Sequence, residues 1–504
     1  MIQAMNIVLY DSLATALYLG RFGQQDLAFN FFASSLLICF AGYFTVKHSR
    51  FLGKGFLFFL LLAAFLQTSL MYAIAYHIPL SYDLMFCAKW AYRIVLFVGF
   101  WNYVFRFIEL NLKSKRFLFI ILCELFGWAF GGIFIYFASD VLSIKTLFTL
   151  LVTSTVLLTM ILVKVSAFEK ITPEMQQKKK SSIDEPVQKK LMYLIYTTAF
   201  FFAGIFSFIE YVLYQAGLHF LSGATITFLR YIGLVWFLTG AFALFLLTFF
   251  YSFRRLFAIT TPLIILSFLP LVCVCGYLSN TLWIVIFAKV CLELILYFCM
   301  GYYFRMLSRP LSYARKGRLK VGSFGVAVPA GFALTGLVFY FLPFDPTALV
   351  FAGVLSVAFL CLLYDDQSEY AKALLYAFKT YRWRGGRLII TNARVLDYIT
   401  QKTESTDAAE AIYYLRVLEE AQVLNLKRYL HHALMHADPK VRCFALESIE
   451  RHNMRMFKKT LSDIMDKDTD NRVRQKALEV FCALGEKYAV EKAVLYMDDA
   501  RLKK

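Results

Sequence analysis

A chain of 504 residues that is 60% hydrophobic, 18% aromatic and only 17% charged has too little polar surface for a water-soluble globule. Its net charge of +19 invites a nucleic-acid partner, but residues 365–504 hold 25 basic and 21 acidic residues, which leaves +15 on the apolar part. That charge falls in alternate short loops, a pattern that sets membrane topology, so no nucleic-acid partner is expected.

The apolar runs, taken in order, predict twelve helices. The first six are Ile2–Leu19, Ala28–Val46, Gly55–Ala75, Leu84–Phe105, Phe117–Tyr136 and Leu142–Val163. Lys164–Lys190 follows, polar, with Pro173, Pro186 and seven lysines against four carboxylates. The second six are Leu191–Tyr214, Thr225–Phe250, Leu256–Leu278, Thr281–Phe304, Gly322–Leu342 and Thr347–Tyr364. The expected fold is all-α: a six-helix half over 1–163, a cytoplasmic central loop over 164–190 and a second half over 191–364.

Loop charge orients this arrangement. One set of loops carries Lys47, Arg50 and Lys54, then Arg106, Lys113, Lys115 and Arg116, then the central lysines, Arg254, Arg255 and the basic run Arg305–Lys320. The other set offers Arg21 and Lys145 against Asp26, Asp83, Asp140 and Asp345. The basic set is cytoplasmic by the positive-inside rule, and an even number of spans puts both termini there. Residues 1–19 lack a basic start and a cleavage site, so no signal peptide is expected. Cys273 and Cys275 lie inside an apolar run and read as small hydrophobes.

Beyond Tyr364 the texture changes. Residues 365–406 read as a connector, and 407–504 as amphipathic helical repeats. Asp438-Pro-Lys-Val-Arg442 before Ala445-Leu446 returns 32 residues later as Asp470-Asn-Arg-Val-Arg474 before Ala477-Leu478. A weaker copy begins at Asp407, with Leu415 in the place of Leu446. This is how HEAT-type helical pairs read, each stacking on its neighbour because none can bury its own face. Such a module offers a site for a protein partner. His431, His432 and His436 have no cysteine or carboxylate at firm metal spacing, so solvated histidines and no metal are expected.

Charges inside a span are costly and mark a pathway by default. The predicted spans hold Asp11, Lys89, Arg93, Glu124, Glu210, Arg230, Lys289 and Glu293. Two halves of six helices around a basic loop are the layout of a major-facilitator-type transporter, whose helices 1, 4, 7 and 10 line the cavity. Asp11, Lys89, Arg93, Glu210, Lys289 and Glu293 fall on those helices and are the candidate substrate-binding residues. Helices 1 and 7 each carry one acid, and helices 4 and 10 each an ionisable pair at i, i+4. The basic set could hold an anionic solute, and the acidic set could balance it or carry protons. The structural alternative is a satisfied Lys289–Glu293 pair and an Arg230 that reaches the outer interface. Gly127, Gly131 and Gly132 read as a close-packing face.

Three stretches carry a family resemblance: Tyr18–Phe29 (YLGRFGQQDLAF), Phe100-Trp101 with Lys113–Phe117, and Arg315–Leu337. The chain resembles bacterial major-facilitator proteins related to the nucleotide (ADP/ATP) translocases, in the branch with a C-terminal HEAT-repeat domain. The resemblance implies a bacterial inner-membrane protein carrying a nucleotide-like anion. The departures bear on that substrate. Exchangers of this kind follow a helix-7 glutamate by lysine four residues on; here Glu210 is followed by Tyr214. They carry an acid and another lysine after the helix-11 entry; here Ser323-Phe324 and Pro329-Ala330 stand there. Lys47 and Arg50 remain in the loop between helices 2 and 3, with Val46 in place of the aspartate.

Two functions follow. The first is a secondary transporter of an anionic organic solute working by alternating access, in contact with membrane lipid, with the repeats as a regulatory or partner-binding module. The second is a non-transporting scaffold or receptor whose bundle anchors the repeats. Whether the intramembrane charges open on a wet cavity or seal one another discriminates them. No nucleophile elbow, metal motif or phosphate loop is present in the sequence, so neither an enzyme nor a cofactor is expected.

Overall fold

The structure is a computed structural model. It describes residues 1–22, 24–47, 63–107 apart from 64, 71, 75 and 77, 115–167, 186–221, 224–253, 260–308, 310–311, 318–319, 322–379, 393–421 and 426–484. It divides into two compact units, Met1–Tyr370 and Ala371–Lys504. The expected central loop falls largely outside the described residues, as do residues 485–504 of the repeats.

In hydrocarbon every backbone N–H and C=O must be satisfied within the chain, and the helix does this segment by segment. The first unit accordingly consists of helices. They are α1 (Ile2–Leu19), α2 (Gln24–Lys47), α3 (Phe65–Ile74), α4 (Pro79–Phe107), α5 (Lys115–Val141) and α6 (Ile144–Ala167). Then come α7 (Pro186–Phe220), α8 (Thr225–Phe253), α9 (Thr260–Leu278), α10 (Leu282–Ile295), α11 (Gly301–Ser308), α12 (Val328–Phe341) and α13 (Phe344–Lys379). A π turn, Leu296–Met300, joins α10 to α11, and another, Ser323–Ala327, leads into α12. Among the described residues eight of these stretches are long and apolar enough to cross a membrane, and the chain is an integral membrane protein.

Helices α1 and α4 fall outside those eight for a physical reason. Nearly every residue of α1 is buried, so it faces protein and tolerates Gln3, Asn6, Asp11, Ser12 and Thr15. Most of those polar groups find partners: Gln3 donates to the Leu96 carbonyl at 3.2 Å, and Asn6 to Thr155 at 2.8 Å. Helix α4 carries Lys89 and Arg93. Helix α13 runs to Lys379, past the expected end at Tyr364, so the first part of the expected connector is helical.

Helix α1 packs on α4, α5 and α6, and α7 on α9, α10 and α12. Contacts between the two sets include α1 on α8 and run chiefly through two pairs, α5 on α8 and α2 on α12. Both of these pairs rest on glycine. A β-carbon on Gly132 of α5 would strike the α8 backbone at Gly233 and Phe237, and one on Gly240 of α8 would strike Ala129 of α5. Gly336 of α12 lies as close to Ala28 and Phe32 of α2. The expected packing role of the α5 glycines is therefore seen, with Gly127 and Gly131 against α1. Gly240→Leu is expected to cost about 3 kcal/mol, because helix backbones cannot yield as a side chain does. A shift of the denaturing-detergent midpoint measures it.

The second unit holds α14 (Ala393–Thr403), α15 (Ala408–Glu420), α16 (Leu426–Leu434), α17 (Pro439–Arg451), α18 (Lys458–Lys467) and α19 (Asn471–Ala483). Helix α16 packs on α17, α18 on α19, and α17 on both α15 and α19. The three repeat aspartates start α15, α17 and α19 in the same way. Asp407 accepts from the Ala409 N–H at 2.9 Å, Asp438 from Lys440 at 2.7 Å and Asp470 from Arg472 at 2.8 Å. Leu415, Ala445, Leu446 and Ala477 are buried, whereas Leu478 is only half-buried. Arg442 grips Asp468 through two bonds of 2.9 and 2.8 Å. Arg474 in the next copy instead donates to the Met465 carbonyl at 3.0 Å. His431 and His432 are exposed, while His436 accepts from the Asp438 N–H at 3.0 Å. Asp470→Ala is expected to destabilise this unit by about 1 kcal/mol through the lost cap, read as a lower thermal midpoint.

Candidate functional site

The six candidate residues come together. Asp11 comes from α1, Lys89 and Arg93 from α4, Glu210 from α7, and Lys289 and Glu293 from α10. The spacing of each pair on α4 and α10 puts both members on one helix face. Lys89 and Arg93 lie about 15 and 21 Å from the start of α4 at 1.5 Å per residue. Lys289 and Glu293 lie about 10 and 16 Å into α10 by the same rise. At such depths in a hydrocarbon layer of about 30 Å, the charges cannot all reach headgroups.

They satisfy one another instead. The Lys89 ammonium lies 3.2 Å from Asp11 Oδ1 and donates to Thr15 Oγ1 at 2.7 Å and Tyr214 Oη at 2.6 Å. Trp236 of α8 donates its indole N–H to Asp11 Oδ2 at 2.9 Å. Lys289 pairs with both Glu210 and Glu293, and Glu293 in turn pairs with Arg93. Three cations thus meet three carboxylates, and the cluster has no formal net charge. Lys89, Glu210, Lys289 and Glu293 are each at most 4% exposed. In this structure the charges seal one another.

Aromatic rings complete the walls. Lys89 stands 4.4–4.6 Å from the ring centres of Phe86, Trp90 and Tyr214. The Arg93 guanidinium lies over Trp236 at 5.1 Å and Phe206 at 5.5 Å. Ring faces are negative, so they stabilise cations where water is excluded. Arg93 Nη1 is buried and has no hydrogen-bond partner, so one arm of its fork is uncommitted.

The links cross between the halves. Arg93–Glu293 joins α4 to α10, Lys89–Tyr214 joins α4 to α7, and Asp11–Trp236 joins α1 to α8. Trp236 and Thr15 are neutral and were invisible to a search for charge. Tyr214 stood out only as a departure from the family pattern; its hydroxyl accepts from Lys89, where a lysine would set two cations together. The two remaining intramembrane charges sit apart from the cluster. Arg230 pairs with Asp140, and both are partly exposed, while Glu124 accepts from Tyr297 at 2.8 Å.

No family model matches the sequence, and no curated protein matches it. Solved structures do. A POT family transporter in complex with 5-aminolevulinic acid aligns with a TM-score of 0.50 at 12% identity, over 73% of this chain and 95% of that one. A variant of the nucleoside transporter NupG aligns with a TM-score of 0.46 at 10% identity, over 73% of this chain and 98% of that one. The first likeness shows the fold, a helical membrane bundle shared with that structure; at such low identity it assigns no substrate.

Proposed function

We propose that the chain is a secondary transporter of an anionic organic solute, working by alternating access, with a nucleotide-like solute favoured by the resemblance. The carrying observation is the neutral, buried charge cluster whose links tie one half to the other. Opening the bundle at this level means breaking Arg93–Glu293, and that is costly unless another anion takes the vacated place. A carboxylate or phosphate group can do so. It would take the uncommitted arm of Arg93 and displace Glu293, which keeps Lys289 as its partner. Partner exchange of this kind lets the halves part without stranding a charge.

The finer assignments belong to the same reading. Twelve spans, with α1, α3, α4 and α9 joining the eight apolar stretches, place both termini and the Lys164–Lys190 loop in the cytoplasm of a bacterium, with the bundle in its inner membrane. The domain limits follow the sequence boundaries, and the repeats act as a HEAT-like module for regulation or for a protein partner. On this topology the cluster closes the bundle near mid-membrane.

Sealed charges are the arrangement expected of the second reading, a scaffold whose pairs are permanent. Counterflow uptake into proteoliposomes, run with labelled nucleotides and a panel of other organic anions, separates the two. Saturable uptake of at least one anion supports transport; uniform failure with folded protein favours the scaffold.

A further inference from the structure

A second buried acid lies outside the charge cluster. Asp366 of α13 is 0% exposed, and among the described residues no lysine, arginine or histidine reaches it. It stands about 33 Å along α13 at 1.5 Å per residue, towards the end opposite the cluster. Its Oδ2 lies 2.8 Å from the Thr198 hydroxyl of α7 and 2.8 Å from the Tyr303 hydroxyl of α11. Its Oδ1 is buried with no hydrogen-bond partner. The flanking charges are engaged or turned outward. Glu369 pairs with Lys190 at 2.8 Å, and Asp365 and Lys189 are exposed.

Counting hydrogens shows what a neutral carboxyl would do here. A threonine hydroxyl has one hydrogen. Thr198 Oγ1 also lies 3.0 Å from the Leu194 carbonyl, which can only accept. If that hydrogen goes to Leu194, the 2.8 Å contact with Asp366 Oδ2 needs a hydrogen on the acid. A neutral carboxyl then completes the set: Asp366 donates to Thr198, Thr198 to Leu194, and Tyr303 to Asp366. A carboxylate would put two acceptors on a single hydrogen and leave an anionic oxygen buried without a donor, a costly state.

We propose that Asp366 is a proton-binding site that fastens α7, α11 and α13 together while it is protonated. Its proton passes to water only when those helices part, because among the described residues no cation meets the anion left behind. This holds whether or not the chain moves a solute.

Infrared difference spectroscopy of the full-length protein in lipid vesicles at neutral pH tests it. The parent is expected to show a protonated-carboxyl C=O band that Asp366→Asn lacks, and Thr198→Val should shift that band by removing its acceptor. Loss of a carboxylate band instead overturns the proposal. Should Asp366→Asn fail to fold, the Thr198→Val shift decides alone, and an unmoved band overturns it. Amide exchange in α13, corrected for its intrinsic rate, should rise with alkaline pH in the parent and stay flat in Asp366→Asn; an equal rise in both contradicts the fastening role.

Discussion

Glu293→Gln is expected to destabilise the bundle by about 3–5 kcal/mol, because removing one member of a buried ion pair strands its partner. The side chain is 1% exposed and serves both Arg93 and Lys289. With it neutral, Lys289 keeps Glu210, but Arg93 loses its only carboxylate among the described residues and keeps at most an amide carbonyl and the rings beside it. Adding Arg93→Met returns the cluster to two cations and two acids, so the double variant should recover most of the loss. Denaturant titrations of parent, single and double variants give the coupling energy. Independent, additive losses would mean that the two side chains do not depend on each other.

Arg93→Ala is expected to reduce uptake of any transported anion to background while the protein remains monodisperse. Arg93→Lys should retain transport with an apparent affinity weaker by about tenfold, because a point charge replaces a planar fork and one charge-assisted bond is lost. Unchanged uptake by Arg93→Ala would remove Arg93 from the site. Restoration of folding, but never of uptake, by a paired neutralisation would make its role structural.

Much of this was legible because intramembrane charge is rare and costly. The i, i+4 pairs on α4 and α10 pointed inward from spacing alone, and each found an acid or base from another helix. Helix α1 has the bounds expected of an apolar run that ends at Gly20. What escaped has physical causes. Trp236, Tyr214 and Thr15 contribute hydrogen bonds from neutral groups, and nothing in composition separates them from packing residues. The π turn after Glu293 changes backbone register without changing residue type. Asp366 falls in the expected connector, past the apolar run that ends at Tyr364, yet α13 continues and buries it together with Glu369. The neutrality of the cluster, three acids to three bases, could be counted in advance, but not that every charge would be engaged.

The central claim is that the cluster is a latch that opens, and the distance between the halves at their outer ends reports on it directly. Ser143, in the turn after α5, and Ser279, in the turn after α9, are exposed and belong to opposite halves. Spin labels on cysteines at these two positions, in a background without the native cysteines, can be measured by pulsed dipolar spectroscopy in lipid vesicles. The latch predicts two populations of distance, with the longer one enriched when Arg93→Ala removes the link to Glu293. A single narrow distance that Arg93→Ala leaves unchanged would contradict it and identify the bundle as a static anchor.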